Sequence, residues 1–111
     1  MSRKAYTTKT AAVSGPYSHG VDAGPFVFLS GQTAMNGVGV KDKGDIKEQT
    51  RECFRHLFSV LEEAGLIPDD VVKVNVYLTD MAFFEAMNDV YREQFQPPYP
   101  ARTAVAVQGL P

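Results

Sequence analysis

The sequence has 111 residues, 44% hydrophobic and 22% charged, a balance that suits one soluble globular domain with its own core. Its formal net charge of −2 and pI near 5.6 run against general nucleic-acid binding, which calls for a basic patch. The single Cys53 excludes an internal disulfide and fits a reducing, cytoplasmic setting; no apolar run reaches the ~20 residues of a membrane helix, and Arg3-Lys4 are not followed by the apolar stretch of a signal peptide.

In chain order, residues 4–8 carry a weak strand signal. Ser14-Gly15-Pro16-Tyr17-Ser18-His19-Gly20 reads as a turn, because Gly-Pro breaks helix and strand alike. Ser18 to Ala23 predicts a short strand closed by Gly24-Pro25. Phe26-Val27-Phe28-Leu29-Ser30 is apolar on both faces and predicts a strand covered on both sides. Asn36 to Gly44 is a glycine-rich loop. Asp45 then opens a helix, with Glu48 three residues on as a capping box and Gly65 as the stop. Ile46, Cys53, Phe54, Leu57, Val60, Leu61 and Ala64 recur at helical spacing, so Cys53 is expected as a small core residue. Lys47, Glu48, Arg51, Glu52, Arg55 and Glu62 make a solvated face with i,i+4 pairing.

Val71 to Thr79 alternates cleanly, with Val72, Val74, Val76 and Leu78 on one face and Lys73, Asn75 and Tyr77 on the other. Asp80 caps a second helix of about fifteen residues that turns Phe84, Met87, Tyr91 and Phe95 inward and leaves Glu85 and Glu93 outside. The three prolines at 97, 98 and 100 forbid helix and lead into a last strand. The order is an α+β layout with two helices on one sheet face. The opposite face, expected to carry Lys73, Asn75, Tyr77 and Arg102, then has no third layer to cover it.

Chemistry-bearing patterns are sparse. There is no phosphate-binding glycine loop, and His19 and His56 lack metal-ligand spacing with each other or with Cys53. On the last strand Arg102 is flanked on its own face only by Ala104 and Ala106, which leaves room around a guanidinium. Such a fork can grip a carboxylate through two parallel hydrogen bonds; it can equally be an edge-strand arginine in a surface ion pair. With Tyr17 in its turn and Ser30-Gly31 at a strand end, the set suits a small carboxylate ligand.

Gly15-Pro16-Tyr17-Ser18, Phe28-Leu29-Ser30-Gly31-Gln32, Val74-Asn75-Val76-Tyr77-Leu78, Met87-Asn88-Asp89-Val90-Tyr91 and Pro100-Ala101-Arg102-Thr103 occur in that order. Together, from about residue 4 to residue 111, they closely resemble the YjgF/RidA family of reactive imine and enamine deaminases. The resemblance implies a chorismate-mutase-like α+β fold, with a mixed β-sheet, two helices on one face, and a homotrimer around a central barrel with clefts between subunits. It implies a 2-iminobutanoate/2-iminopropanoate deaminase, a hydrolase that turns 2-aminoacrylate and 2-iminobutyrate into 2-oxo acids and ammonia without a metal or organic cofactor. Carried over by motif, Arg102 clamps the substrate carboxylate and forms the catalytic pair with Tyr17. Ser30, Gly31, Asn88 and Ala104 complete the substrate site. Ala104 stands where many members have cysteine, so a thiol is excluded there. The family continues into a strand whose glutamate orients the attacking water. The sequence stops at Pro111, so that strand is expected to be absent from the 1–111 domain. A non-catalytic carboxylate-binding trimer is the alternative reading, and RNA cleavage, attached to some relatives, is disfavoured by the negative net charge.

Overall fold

The computed structural model describes residues 2–34 and 44–111; the expected glycine-rich loop, apart from Gly44, lies outside them. The elements are β1 (Lys4–Tyr6), β2 (Gly20–Asp22), β3 (Val27–Leu29), α1 (Ile46–Glu63), β4 (Lys73–Leu78), α2 (Phe84–Gln94) and β5 (Ala101–Ala106), with single 3₁₀ turns at Pro68–Asp70 and Met81–Phe83. This is the expected α+β order. The strands pair both ways, but in two sheets: β1, β2 and β3 form an antiparallel set, and β4 and β5 a parallel pair. A parallel pair needs a crossover, and α2 supplies it.

Helix α1 begins where Asp45 Oδ1 accepts the Glu48 N–H at 2.9 Å; the reciprocal bond from the Glu48 side chain is not made. It ends as Gly65 takes φ +73°, with the Gly65 and Leu66 N–H groups donating to the Glu62 and Leu61 carbonyls. That left-handed residue is the reason for a glycine there. Asp80 caps the 3₁₀ turn through the Ala82 N–H rather than α2 itself, which starts at Phe84.

The core joins Phe54 of α1, Leu78 of β4, Met87 and Tyr91 of α2, and Phe95, with Val74 and Val76 packed against it. Phe84, Met87, Tyr91 and Phe95 turn inward as their spacing predicts, and Val90 is fully buried as well. The charged face of α1 departs from expectation. Lys47 and Arg51 reach Asp89 and Glu93 on α2, each at 3.4 Å, because the second helix lies alongside; Arg55 pairs with Glu52 one turn back. Such exposed pairs contribute at most about 1 kcal/mol each.

Two face assignments are corrected. In the parallel register Val74 pairs with Arg102 and Val76 with Ala104, and paired residues share a face. Arg102 therefore lies on the helix-covered side with Val74, not with Lys73, Asn75 and Tyr77, whose companions are Ala101, Thr103 and Val105. Phe28, expected to be covered, is 65% exposed, since nothing among the described residues packs on that side of β3.

Where β2 passes under α1 there is no space for a side chain. A Cβ on Gly20 would lie 3.0 Å from Val60 Cγ1 and 3.1 Å from Leu29 Cδ2, and Val60 is fully buried and cannot retreat. Gly20→Ala is therefore expected to lower unfolding free energy by about 1–3 kcal/mol, the usual cost of overpacking. A urea melt of the variant measures it, and an unchanged midpoint would contradict this packing.

Candidate active site

The predicted site residues form two groups. The first is built on β5 and α2. Arg102 is half-buried, and its Nη1 donates to Asn88 Oδ1 at 2.7 Å. Its guanidinium carbon lies 4.7 Å from the Tyr91 ring centre and 5.4 Å from that of Phe84. Two aromatic faces and one neutral amide thus fix the fork without neutralising it. Arg51, Arg55 and Arg92 each face a carboxylate, whereas Arg102 has none among the described residues. The surface ion pair considered for it is not made. Ala104 follows on the same face, half-buried against β4. Tyr91 was read as core and is core, but it also carries Arg102. Its buried hydroxyl has no hydrogen-bond partner among the described residues, and burial pushes its pKa up against the pull of the Arg102 charge.

The second group gathers at the ends of β2 and β3. Tyr17, Ser30 and Gly31 line a cleft of about 160 Å³ together with Ser14, Gln32 and Thr33; Arg102, Asn88 and Ala104 are not among its walls. Tyr17 sits in the predicted Gly-Pro turn, its N–H donating to the Gly15 carbonyl. Its phenol oxygen lies 3.3 Å from both the backbone N–H and the hydroxyl of Ser14, and these bonds hold its pKa below the ordinary range. The Ser30 hydroxyl donates to the Ser18 carbonyl at 2.6 Å, and the Ser30 N–H to the His19 carbonyl at 2.9 Å.

Both histidines are buried. His19 Nδ1 accepts the Thr8 N–H at 3.0 Å, which ties the segment after β1 to the turn before β2. Cys53, expected in the core, is only half-buried; burial first, and then the Glu52 charge, still push its thiol up to about 11, far from a nucleophile's range. Among the described residues no three His, Cys, Asp or Glu side chains come together as a metal site would require.

The Endoribonuclease L-PSP family model matches residues 7–111. The chain belongs to the YjgF/RidA family. Among its relatives in that family, a 2-iminobutanoate/2-iminopropanoate deaminase of Dermatophagoides farinae is 42% identical over 98 residues, covering 87% of this chain and 77% of the mite protein. The mitochondrial protein mmf2 of Schizosaccharomyces pombe is 41% identical over 111 residues, covering all of this chain and 87% of the yeast protein. The crystal structure of RidA from an Antarctic Psychrobacter superposes with a TM-score of 0.92 at 38% identity, over 98% of this chain and 89% of that one. The fold is that of RidA proteins.

Proposed function

We propose that the protein hydrolyses reactive imines and enamines of 2-iminobutyrate and 2-aminoacrylate type to 2-oxo acids and ammonia. The observation that carries this reading is Arg102: a half-buried guanidinium, held by Asn88, Tyr91 and Phe84, with no carboxylate partner among the described residues. An α-imino acid brings the missing carboxylate. Its imine carbon is already electrophilic, so catalysis needs chiefly positioning and a water. Water adds to that carbon, the nitrogen takes up protons and leaves as ammonia, and the carbon becomes the ketone of the 2-oxo acid. Arg102 holds the carboxylate, with backbone at Gly31 and Ala104 beside it. Tyr17, whose Ser14 bonds ease loss of its proton, is the proton-transfer group, and Ser30 lines the site. The name carried by the mite relative supports the same chemistry.

A homotrimer with sites shared between subunits goes with this reading. The arginine group and the Tyr17 cleft have no wall in common within one chain. Tyr77, Val72, Phe26 and Phe28 are more than half exposed and favour burial in an assembly. The compartment we propose is cytoplasmic, on the strength of the unpaired Cys53, although a similar yeast protein is named as mitochondrial. RNA cleavage, which the family model's description mentions, finds little support, since both histidines are buried and the net charge is negative.

The test generates 2-iminobutyrate in situ and follows its loss with and without the protein. Faster formation of 2-oxobutyrate and ammonia is the expected result. Binding of 2-oxobutyrate with no acceleration would replace this reading by a non-catalytic carboxylate-binding module.

A further inference from the structure

His19 does not line the Tyr17 cleft and takes no part in the chemistry above, yet it is 2% exposed and both of its ring nitrogens are in use. A backbone N–H can only donate, so the Thr8 N–H, 3.0 Å from Nδ1, requires a lone pair there. The neutral ring then carries its proton on Nε2. That nitrogen lies 3.4 Å from the Ala12 carbonyl, which can only accept. The two contacts agree on one tautomer.

The frame around the ring is fixed from α1. Thr8 Oγ1 contacts Ser59 Oγ, and the Gly20 backbone, next to His19, passes too close to Val60 to admit a side chain. The His19 and Ser18 carbonyls also accept the N–H and the hydroxyl of Ser30. From this frame one wall of the cleft is held at two ends. The Ala12 carbonyl accepts from His19, and the N–H and hydroxyl of Ser14 lie 3.3 Å from the Tyr17 phenol oxygen. Ala12, Ser14 and Tyr17 all line the cleft. We propose that His19 is a positioning residue for Tyr17, its Nε2–H holding the Ala12 carbonyl so that Ser14 stands where it meets the phenol oxygen. The effect on turnover rests on the imine-deaminase reading; the placement of Tyr17 does not.

The two nitrogens have separable tasks. Thr8 at Nδ1 ties the segment after β1 to the fold and sets the tautomer, whereas Ala12 at Nε2 carries the cleft wall. Glutamine can place an amide N–H where Nε2–H was, without the Nδ1 acceptor. Asparagine can place its carbonyl where Nδ1 was, but it is too short to reach Ala12. Positioning of Tyr17 therefore ranks His19→Gln above His19→Asn. A merely structural tie through Thr8 ranks them the other way.

The experiment uses the full chain, isotope-labelled at the histidine ring nitrogens and at the tyrosine ring carbon that bears the hydroxyl. In the wild type the His19 nitrogens are expected to read as protonated Nε2 and bare Nδ1. The Tyr17 resonance, assigned by its loss in Tyr17→Phe, should titrate at higher pH in His19→Asn, toward the ordinary phenol value of about 10, as Ser14 drifts away. In His19→Gln it should stay near the wild type. With 2-iminobutyrate generated in situ, His19→Asn should lose about fivefold to tenfold in kcat, the size of one neutral hydrogen bond. Its KM should change by less than about twofold, because Arg102 still holds the carboxylate. His19→Gln should keep most of the wild-type kcat. Tyr17→Phe frees both Ser14 bonds at an exposed position, and by reciprocity it should move the Nε2 resonance of His19; it carries the test if neither His19 variant folds. A wild-type ring protonated at Nδ1, an Nε2 resonance unmoved in Tyr17→Phe, a Tyr17 titration identical in wild type and His19→Asn, or His19→Asn outperforming His19→Gln overturns the proposal. If the resonances behave as stated but the wild type hydrolyses no 2-iminobutyrate, the positioning of Tyr17 stands and the deaminase reading falls.

Discussion

Arg102→Ala is expected to slow 2-iminobutyrate hydrolysis by about a hundredfold to a thousandfold while leaving the chain folded. Losing one partner of an enclosed, hydrogen-bonded charge pair costs about 3–4 kcal/mol, and each 1.4 kcal/mol or so is a factor of ten. The effect on folding should be far smaller. The guanidinium stacks on Tyr91 and Phe84, contacts that are each worth only about 1 kcal/mol outside a fully dry core. Arg102→Lys separates charge from shape, because an ammonium keeps the charge but loses the fork and the planar stacking. It should recover part of the loss and no more. Wild-type turnover in Arg102→Ala would remove the arginine from the mechanism. A collapsed circular-dichroism spectrum would instead assign it a structural role.

The largest stability effect belongs to Phe54→Ala. Phe54 is 5% exposed and stands edge-on to Tyr91 and Phe95, with ring centres 5.7 Å away in both cases, and tilted against Phe58 at 5.5 Å. Truncation removes the hub of the aromatic cluster that joins α1 to α2, and burial this complete makes the cost about 3–5 kcal/mol. That is a large share of the 5–15 kcal/mol or so that holds an ordinary domain together. Chemical denaturation measures it directly. A loss below about 1 kcal/mol would mean that the cluster collapses around the gap, contrary to the enclosure seen here.

What could be read from the residues follows a physical division. Helix α1 was legible because its start, its stripe and its stop agree: Asp45 caps, Phe54, Val60 and Leu61 are buried, and Gly65 takes the left-handed conformation. The turn holding Tyr17 was equally local. The face of Arg102 was not, since alternation fixes which residues of β5 travel together but not how that strand registers against β4. Only the pairing of Val74 with Arg102 settles it. Phe28 was misjudged for the same reason: an apolar strand demands cover without saying whether its own chain provides it. His56 escaped because a polar residue interrupts the apolar stripe. The available signal was its spacing, one helical turn from both Glu52 and Val60, which places an imidazole on the inward side beside a carboxylate.

The arginine and the amide that holds it are 14 residues apart, both within the single unit formed by β4, α2 and β5. Apart from Pro111, the Tyr17 cleft is lined from the opposite half of the sequence, by the turn before β2 and the residues after β3. One anion grip is thus inherited as a contiguous block, and the surroundings of the reacting carbon as another. Substitutions, insertions or deletions around Tyr17 can retune which side chains are admitted while leaving the Arg102–Asn88 grip on the carboxylate in place. Substrate breadth and carboxylate recognition are free to drift apart in evolution, and a library confined to the first thirty-odd residues is the place to look for altered selectivity.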